Sequence, residues 1–277
     1  MVEVILVFVL LEVVSMLLYS TLYVSYFKQV ARFGGDIYTI ILDLAWGAII
    51  LALLVLKRRD LSRYGVTLYN LDSDLKVVAI CILPVSVLVL MNIVGLPDIG
   101  SLGVTLLNAM ITVVILLVIL KLLTYVNGKE EKAAIGKPTL VIIPIVILLL
   151  IGGMGIIGPM LVLLFIEFLF VGFVEELIFR GYIQSRLNEA FGRPYRFFGI
   201  SWGAGLIIAS LMFGFMHVLY AHFNPLLGWY GLDWQLGVGI FFGGLIFGLI
   251  REKTGNIVAP SILHSFIDFF SIVFMYL

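Results

Sequence analysis

The chain is a succession of long apolar stretches separated by short polar ones, and few folds other than a bundle of membrane-spanning helices accommodate that pattern. A helix needs about 20 mostly apolar residues to cross the hydrocarbon core of a bilayer. Nine stretches reach or approach that length: 2–27, 37–56, 76–94, 103–126, 139–157, 160–180, 200–220, 235–250 and 257–275. The eighth is short, so the expected fold is all-α, a polytopic transmembrane helical bundle of eight or nine spans. Composition agrees. Hydrophobic residues make up 62% of the 277 and charged residues 12%, against roughly 25% charged in an ordinary soluble domain. Mean hydropathy is +1.20. A soluble chain this apolar could not cover its surface with polar groups. The opening MVEVILVFVLLEVV has no basic n-region and reads as the first span rather than a cleaved signal. Cys81 is the single cysteine, which excludes an internal disulfide and a cysteine-based metal centre. Seventeen basic residues balance seventeen acidic ones with no basic tract, so no nucleic-acid partner is expected.

Lysine and arginine give the expected orientation. Lys57, Arg58, Arg59, Arg63 and Lys76 follow the second span; Lys129, Lys132 and Lys137 the fourth; Arg186, Arg193 and Arg196 the sixth; Arg251 and Lys253 the eighth. Segments 95–102, 152–159 and 221–234 have no lysine or arginine. Even-numbered connections and the N-terminus are therefore expected on the cytoplasmic side, with Lys28 and Arg32 as mild exceptions. Segment 127–138, NGKEEKAAIGKP, is the clearest boundary. It separates N-terminal transmembrane helices, 1–126, with few ionisable groups and no assigned function, from a second part, 139–277, that carries the chemistry. Glycines at 199, 203 and 205 and at 237, 239, 243, 244 and 248 read as helix-packing positions.

Ionisable residues inside a membrane are costly and usually functional. Three segments of the second part supply them. In VEELIFRGYIQSRL (174–187), Glu176 and Arg180 stand four residues apart on one helical face and can pair. Glu175, about 100° around the helix, has no local cation, and a buried carboxylate so placed can serve as a general base. In FGFMH (213–217), His217 lies late in an otherwise apolar span. In HSFID (264–268), His264 and Asp268 share one face of the last span; Ser265 points away. The bland alternatives are an interfacial charge pair for the first segment and an interhelical hydrogen bond for the histidine. The midpoint of 175 and 217 falls at 196, beside the break signal Phe191-Gly192-Arg193-Pro194-Tyr195-Arg196. Glu175 and His217 can thus meet across a helical hairpin, provided the first helix continues to about residue 190. His264 lies about 12 Å beyond the break near 251–256. All three segments place their polar groups toward the cytoplasmic half of the bilayer, of the cell membrane by expectation.

The pattern Glu175-Glu176-x-x-x-Arg180, Phe213-x-x-x-His217 and His264-x-x-x-Asp268 resembles the three motifs of the CAAX-protease and bacteriocin-processing family, over about residues 139–270. The eukaryotic members are type II CAAX prenyl endopeptidases, multi-spanning proteins that remove three C-terminal residues from prenylated substrates. The resemblance implies an intramembrane endopeptidase whose substrate is a lipidated or membrane-associated peptide or protein, with membrane lipids as the other partner. It implies that Glu175 activates a water with help from His217. It assigns His264 and Asp268 to the oxyanion, and Glu176 and Arg180 to a supporting pair. The family has Asn or Asp at the last position. An ionised aspartate cannot donate a hydrogen bond, so Asp268 is protonated, orients His264 or ligates a metal. Two histidines and two carboxylates would suit zinc, but the HExxH pattern is absent. A metal-free glutamate mechanism without a cofactor is the favoured expectation, with zinc as the other.

A nucleophilic serine or cysteine is disfavoured, since Cys81 lies in the unmatched part and no Gly-x-Ser-x-Gly turn occurs. The competing class is a proton- or cation-coupled transporter using the same Glu, His and Asp cluster, and a third is a non-catalytic scaffold. A transporter built from repeats should show paired features in both parts, and this chain does not. Asp43, Asn92 and Asn108 read as interhelical hydrogen-bonders. Glu3 and Glu12 are unexplained charges in the first span. In the loop 221–234, Trp229 and Trp234 read as interfacial anchors, and His222 and Asn224 as weaker site candidates.

Overall fold

The structure, a computed structural model, describes residues 1–19, 21, 34–69, 71–94, 102–126, 171–223, 232 and 234–276. The described chain is almost entirely helical. In a bilayer every backbone polar group must be satisfied internally, and runs of Leu, Ile, Val and Phe do that as helices. The order is α1 (Val2–Leu18), α2 (Gly34–Leu56), a 3₁₀ turn (Leu61–Tyr64), α3 (Leu71–Val94) and α4 (Leu102–Leu123). Then α5 (Phe173–Glu176) runs unbroken through a π-helical stretch (Leu177–Gln184) into α6 (Ser185–Phe191). A two-stranded hairpin follows, β1 (Tyr195–Phe197) against β2 (Ile200–Trp202), then α7 (Ala204–Phe223), α8 (Trp234–Thr254) and α9 (Val258–Tyr276).

Among the described residues, Leu71–Leu90, Leu106–Leu123 and Trp234–Thr254 are long and apolar enough to cross a membrane. Shorter apolar helices cover Ile40–Leu56, Ala204–Val218 and Val258–Phe270. The eighth expected span, short by sequence, is thus a full-length helix. The fifth expected span, most of the sixth, the boundary at 127–138 and the loop carrying Asn224 and Trp229 lie outside the described residues.

Two hydrophobic clusters hold the bundle, and each draws on both parts of the sequence. In the first, Val4 and Leu11 of α1 and Trp46 and Ile50 of α2 pack on Val174, Ile178 and Phe213. The Trp46 indole donates to the Leu11 carbonyl at 3.2 Å, tying α1 to α2. In the second, Cys81 and Val85 of α3 and Ile119 and Leu123 of α4 pack on Ile246, Ile250 and Leu263 of α8 and α9. Helices α7 and α8 approach closely because glycines face each other: a Cβ at Gly214 would lie 2.5 Å from the Gly237 carbonyl, and one at Gly248 2.4 Å from Leu206. Of the other glycines expected to pack, Gly239, Gly243 and Gly199 face open space.

The charged connections gather on one face. Glu3 of α1 pairs with Lys57 and Arg59 after α2 and with Arg186 of α6. Arg193 pairs with Glu252, Arg251 donates to the Arg63 carbonyl, and Asn256 donates to Asp74. The N-terminus and the second, sixth and eighth connections therefore lie on the same side of the bundle, the pattern expected from the lysines and arginines. Glu3, unexplained by sequence, is the centre of this face.

The reversal between α6 and α7 differs from the expected short break at 191–196. Helix α6 ends at Phe191, close to the expected 190, but α7 begins only at Ala204. The intervening Tyr-Arg-Phe and Ile-Ser-Trp alternate aromatic or β-branched residues with polar ones, a strand pattern, and pair Tyr195 with Trp202 and Phe197 with Ile200.

Candidate active site

The site forms where α5 and the π-helical stretch meet α7, α8 and α9. Glu175 and Glu176 are the last two residues before the i→i+5 turns begin, and such π segments recur at functional positions in helices. Both carboxylates are buried, as are Arg180 and His264. The Arg180 Nε stands 3.2 Å from Glu176 Oε2, the four-residue pair expected from sequence. The same guanidinium lies over the Phe213 ring at 4.4 Å and donates to the Gly244 carbonyl at 3.3 Å. One arginine therefore pins three helices.

His264 is the hub. Its Nδ1 lies 2.9 Å from Glu176 Oε1. A carboxylate oxygen accepts, so Nδ1 carries the proton and Nε2 is delivered to the other side of the ring. There Nε2 stands 3.3 Å from Asp268 Oδ2 and 3.7 Å from Glu175 Oε2. Phe247 stacks on the imidazole at 4.9 Å, with ring planes 21° apart. Phe213 meets it edge-on at 5.6 Å. The orientation of His264 is thus over-determined by two rings and three carboxylates.

His217 packs on the other side of Phe213, with ring centroids 4.7 Å apart. Its Nδ1 is 3.0 Å from the Phe213 carbonyl. A carbonyl only accepts, so this hydrogen bond uses Nδ1–H and leaves Nε2 as the lone-pair nitrogen of the neutral ring. Phe213 also packs on Phe179 at 4.9 Å. The midpoint of 179 and 213 is 196, the register expected for Glu175 and His217.

The two adjacent glutamates differ in their partners: each has an Oε2 buried without a hydrogen bond, but that of Glu176 is ion-paired to Arg180 at 3.2 Å. Glu176 is committed to Arg180 and His264. Glu175 Oε2 is buried without a hydrogen-bond partner. Its neighbour is the His264 imidazole, whose Nε2 stands 3.7 Å away, and buried polar atoms without a hydrogen bond are uncommon enough to call for an explanation. Among the described residues no group of three His, Cys, Asp or Glu side chains is arranged to hold a metal ion.

The structure gathers Glu175, Glu176, Arg180, His264 and Asp268 around one imidazole, and places His217 against the shared Phe213. The side chains of His222 and Asn92 and the whole of Asn224 lie outside what is described. Three contributors were missed by sequence reasoning. Phe247 and Gly244 sit in an apolar, glycine-rich helix where nothing distinguishes them. Gly172 is the third: a Cβ there would lie 2.1 Å from Ser265 Oγ and 3.0 Å from the Ser261 carbonyl. Only a glycine lets the helix of Glu175 approach the helix of His264 this closely.

Residues 157–270 match the family described as "Type II CAAX prenyl endopeptidase Rce1-like". The match spans all three polar segments of the site. This part of the chain is similar to the CAAX-protease family. In general terms the family supports an intramembrane endopeptidase of the CAAX type, and the apolar helices fit an integral membrane protein. No curated protein and no solved structure matches the chain.

Proposed function

We propose that the chain hydrolyses a peptide bond near the C-terminus of a membrane-associated, prenylated substrate, using water activated by Glu175. The observation that carries this reading is the unpartnered Glu175 Oε2, 3.7 Å from His264 Nε2. Glu175 takes a proton from water as the oxygen attacks the scissile carbonyl. His217, with its lone pair on Nε2, holds that water. The tetrahedral oxyanion is stabilised by the Nε2–H of a doubly protonated His264. Asp268 orients the ring through the 3.3 Å contact, a role that does not require it to donate. Glu176 fixes the ring from Nδ1, and Arg180 balances Glu176, so these two position rather than react. Glu175 then returns the proton to the departing amine.

The mechanism is metal-free in this reading. Its support is the use of His264: Nδ1 gives its hydrogen to Glu176, and Nε2 faces two carboxylates rather than an open coordination position. The site is reached from the cytoplasmic half of the cell membrane. Its depth supports this, since His264 lies about 9 Å along α9 from Val258 at 1.5 Å per residue, and Val258 adjoins the charged face.

The experiment is cleavage of a panel of C-terminal peptides, prenylated and unmodified, by purified protein in detergent. The expected result is cleavage of prenylated peptides by the wild type and none by Glu175→Ala. Equal cleavage of both peptide classes would remove the prenyl requirement, and cleavage by Glu175→Ala would remove the mechanism.

A further inference from the structure

The hairpin between the Glu175 and His217 helices has no part in the chemistry, yet its sequence and shape are not those of a passive turn. Residues Phe191–Gly203 read FGRPYRFFGISWG, with two arginines and no acid. Directly opposed residues of an antiparallel pair share a face. Tyr195, Phe197, Ile200 and Trp202 therefore form an apolar face, and Arg196 and Ser201 the polar one. The protein covers only half of the apolar face. Ile200 is 2% exposed and belongs to the cluster with α8, and Trp202 packs against that cluster. Tyr195 and Phe197 on the outer strand are 56% and 49% exposed. Phe191 and Phe198 beside them are exposed as well.

The turn adds an independent observation. Phe198 and Gly199 both have positive φ, 48° and 76°. A two-residue hairpin loop with both residues in that region is ordinarily built from Asn-Gly or Asp-Gly, because a bulky side chain there is strained. The Phe198 ring meets Phe197 edge-on at 4.6 Å and stays 38% exposed, so it extends the uncovered apolar surface to the tip of the hairpin.

We propose that this hairpin is an amphipathic anchor that seats in the headgroup–acyl boundary of an anionic lipid surface. Aromatic side chains favour that boundary. The charge is complementary: Arg196 is exposed on the polar face, and beside it a cavity of about 410 Å³ is lined by Lys253, Arg251 and Arg193 against the single acid Glu252, which pairs with Arg193; Lys57, paired with Glu3, and Arg63, near Asp60, lie on the same side of the bundle. Polybasic surfaces next to spanning helices attract anionic lipid. The hairpin is the connection between the Glu175 and His217 helices, so its seating fixes the depth of both.

The test uses the full chain in lipid nanodiscs, one set of phosphatidylcholine and one containing phosphatidylglycerol. Single cysteines replace Tyr195, Arg196 and Phe197 in turn in a Cys81→Ala background and carry a nitroxide. Collisions with oxygen report lipid and those with a water-soluble nickel chelate report water. Labels at 195 and 197 should favour oxygen several-fold in the phosphatidylglycerol discs, and the label at 196 should favour nickel. The label at 197 should become shallower in phosphatidylcholine, and also in phosphatidylglycerol when Arg196→Gln is added. Nickel access at 197 equal to that at 196 overturns the anchor. Equal depth in both discs overturns the anionic assignment. Shielding of 195 and 197 that develops only when a peptide substrate is added assigns the face to the peptide instead. A free-phosphate site is indicated if inorganic phosphate alone shifts the depth in phosphatidylcholine, which also overturns the lipid assignment.

Discussion

Two carboxylates of this molecule sit in clusters made of similar parts, and they are treated in opposite ways. Glu3, at the charged face, accepts from Lys57 at 2.8 Å, Arg59 at 2.7 and 3.0 Å, the Tyr182 hydroxyl at 2.8 Å and Arg186 at 2.9 Å. Four side chains donate to it, and the result joins α1, the connection after α2, and the π-to-α6 segment. Glu175, inside the bundle, has an oxygen with no hydrogen bond at all, although Arg180 lies only five residues away in sequence. That arginine is turned to Glu176, Phe213 and Gly244 instead. The first carboxylate is filled with donors, and the second, the proposed base, keeps one oxygen without a hydrogen bond while Arg180 and His264 are turned to Glu176.

Breaking the pair that keeps Glu175 open should have the largest effect on stability. Glu176→Gln or Arg180→Met leaves one buried charge without its partner, which typically costs about 3–5 kcal/mol. Thermal unfolding in detergent should show a large fall in Tm for either. Loss of cleavage at unchanged Tm would instead give Glu176 a direct part in the reaction.

The next effect comes from Gly172→Ala. The added methyl overlaps Ser265 Oγ, and overpacking of this kind costs roughly 1–3 kcal/mol. Because it separates the helices of Glu175 and His264, the cleavage rate should fall with Tm. Adding Ser265→Ala, which removes the atom met at 2.1 Å, should restore part of both; no restoration would mean the backbone atoms of α9 set the contact.

Much of this arrangement was legible in the sequence. The spacing Glu176 to Arg180 gave the pair, and the midpoint at 196 gave the register between the two helices, because ionisable residues stand out in apolar spans. Phe247 does not stand out, since a phenylalanine that stacks on a buried imidazole looks like one that faces lipid. Gly172 is one of 28 glycines, and only the position of α9 distinguishes it. Local spacing relates Glu176 to Arg180 alone; its bond to His264 spans 88 residues and two helices that no local spacing relates. The hairpin was missed because the Gly and Pro at 192 and 194 masked the short strand pattern that follows.

Smaller still is the effect expected for Glu3→Gln. Each pair in this cluster is partly exposed, with the Lys57 side chain 46% accessible, and is worth about 1 kcal/mol or less, so losing the network costs less than leaving a fully buried charge unpaired. Tm should fall slightly and cleavage should persist. Abolished cleavage in a folded Glu3→Gln variant would break the contrast between the two carboxylates.

The smallest effect is expected for Asp268→Asn, measured by cleavage rate. Asparagine can still accept from His264, so substantial activity should remain, and strong chelators should have little direct effect. Stoichiometric zinc in the purified wild type, lost together with activity in Asp268→Asn, would replace the metal-free reading with a base acting on metal-bound water.

The account stands or falls on Glu175→Gln, which keeps the shape of the side chain and removes its charge. Turnover of the best peptide substrate and thermal unfolding should be measured on the same purified sample. The expected result is a folded protein of near-wild-type Tm with turnover reduced at least about 10²-fold, the low end for losing a general base. Near-normal turnover in that sample would contradict the assignment of Glu175 as the base.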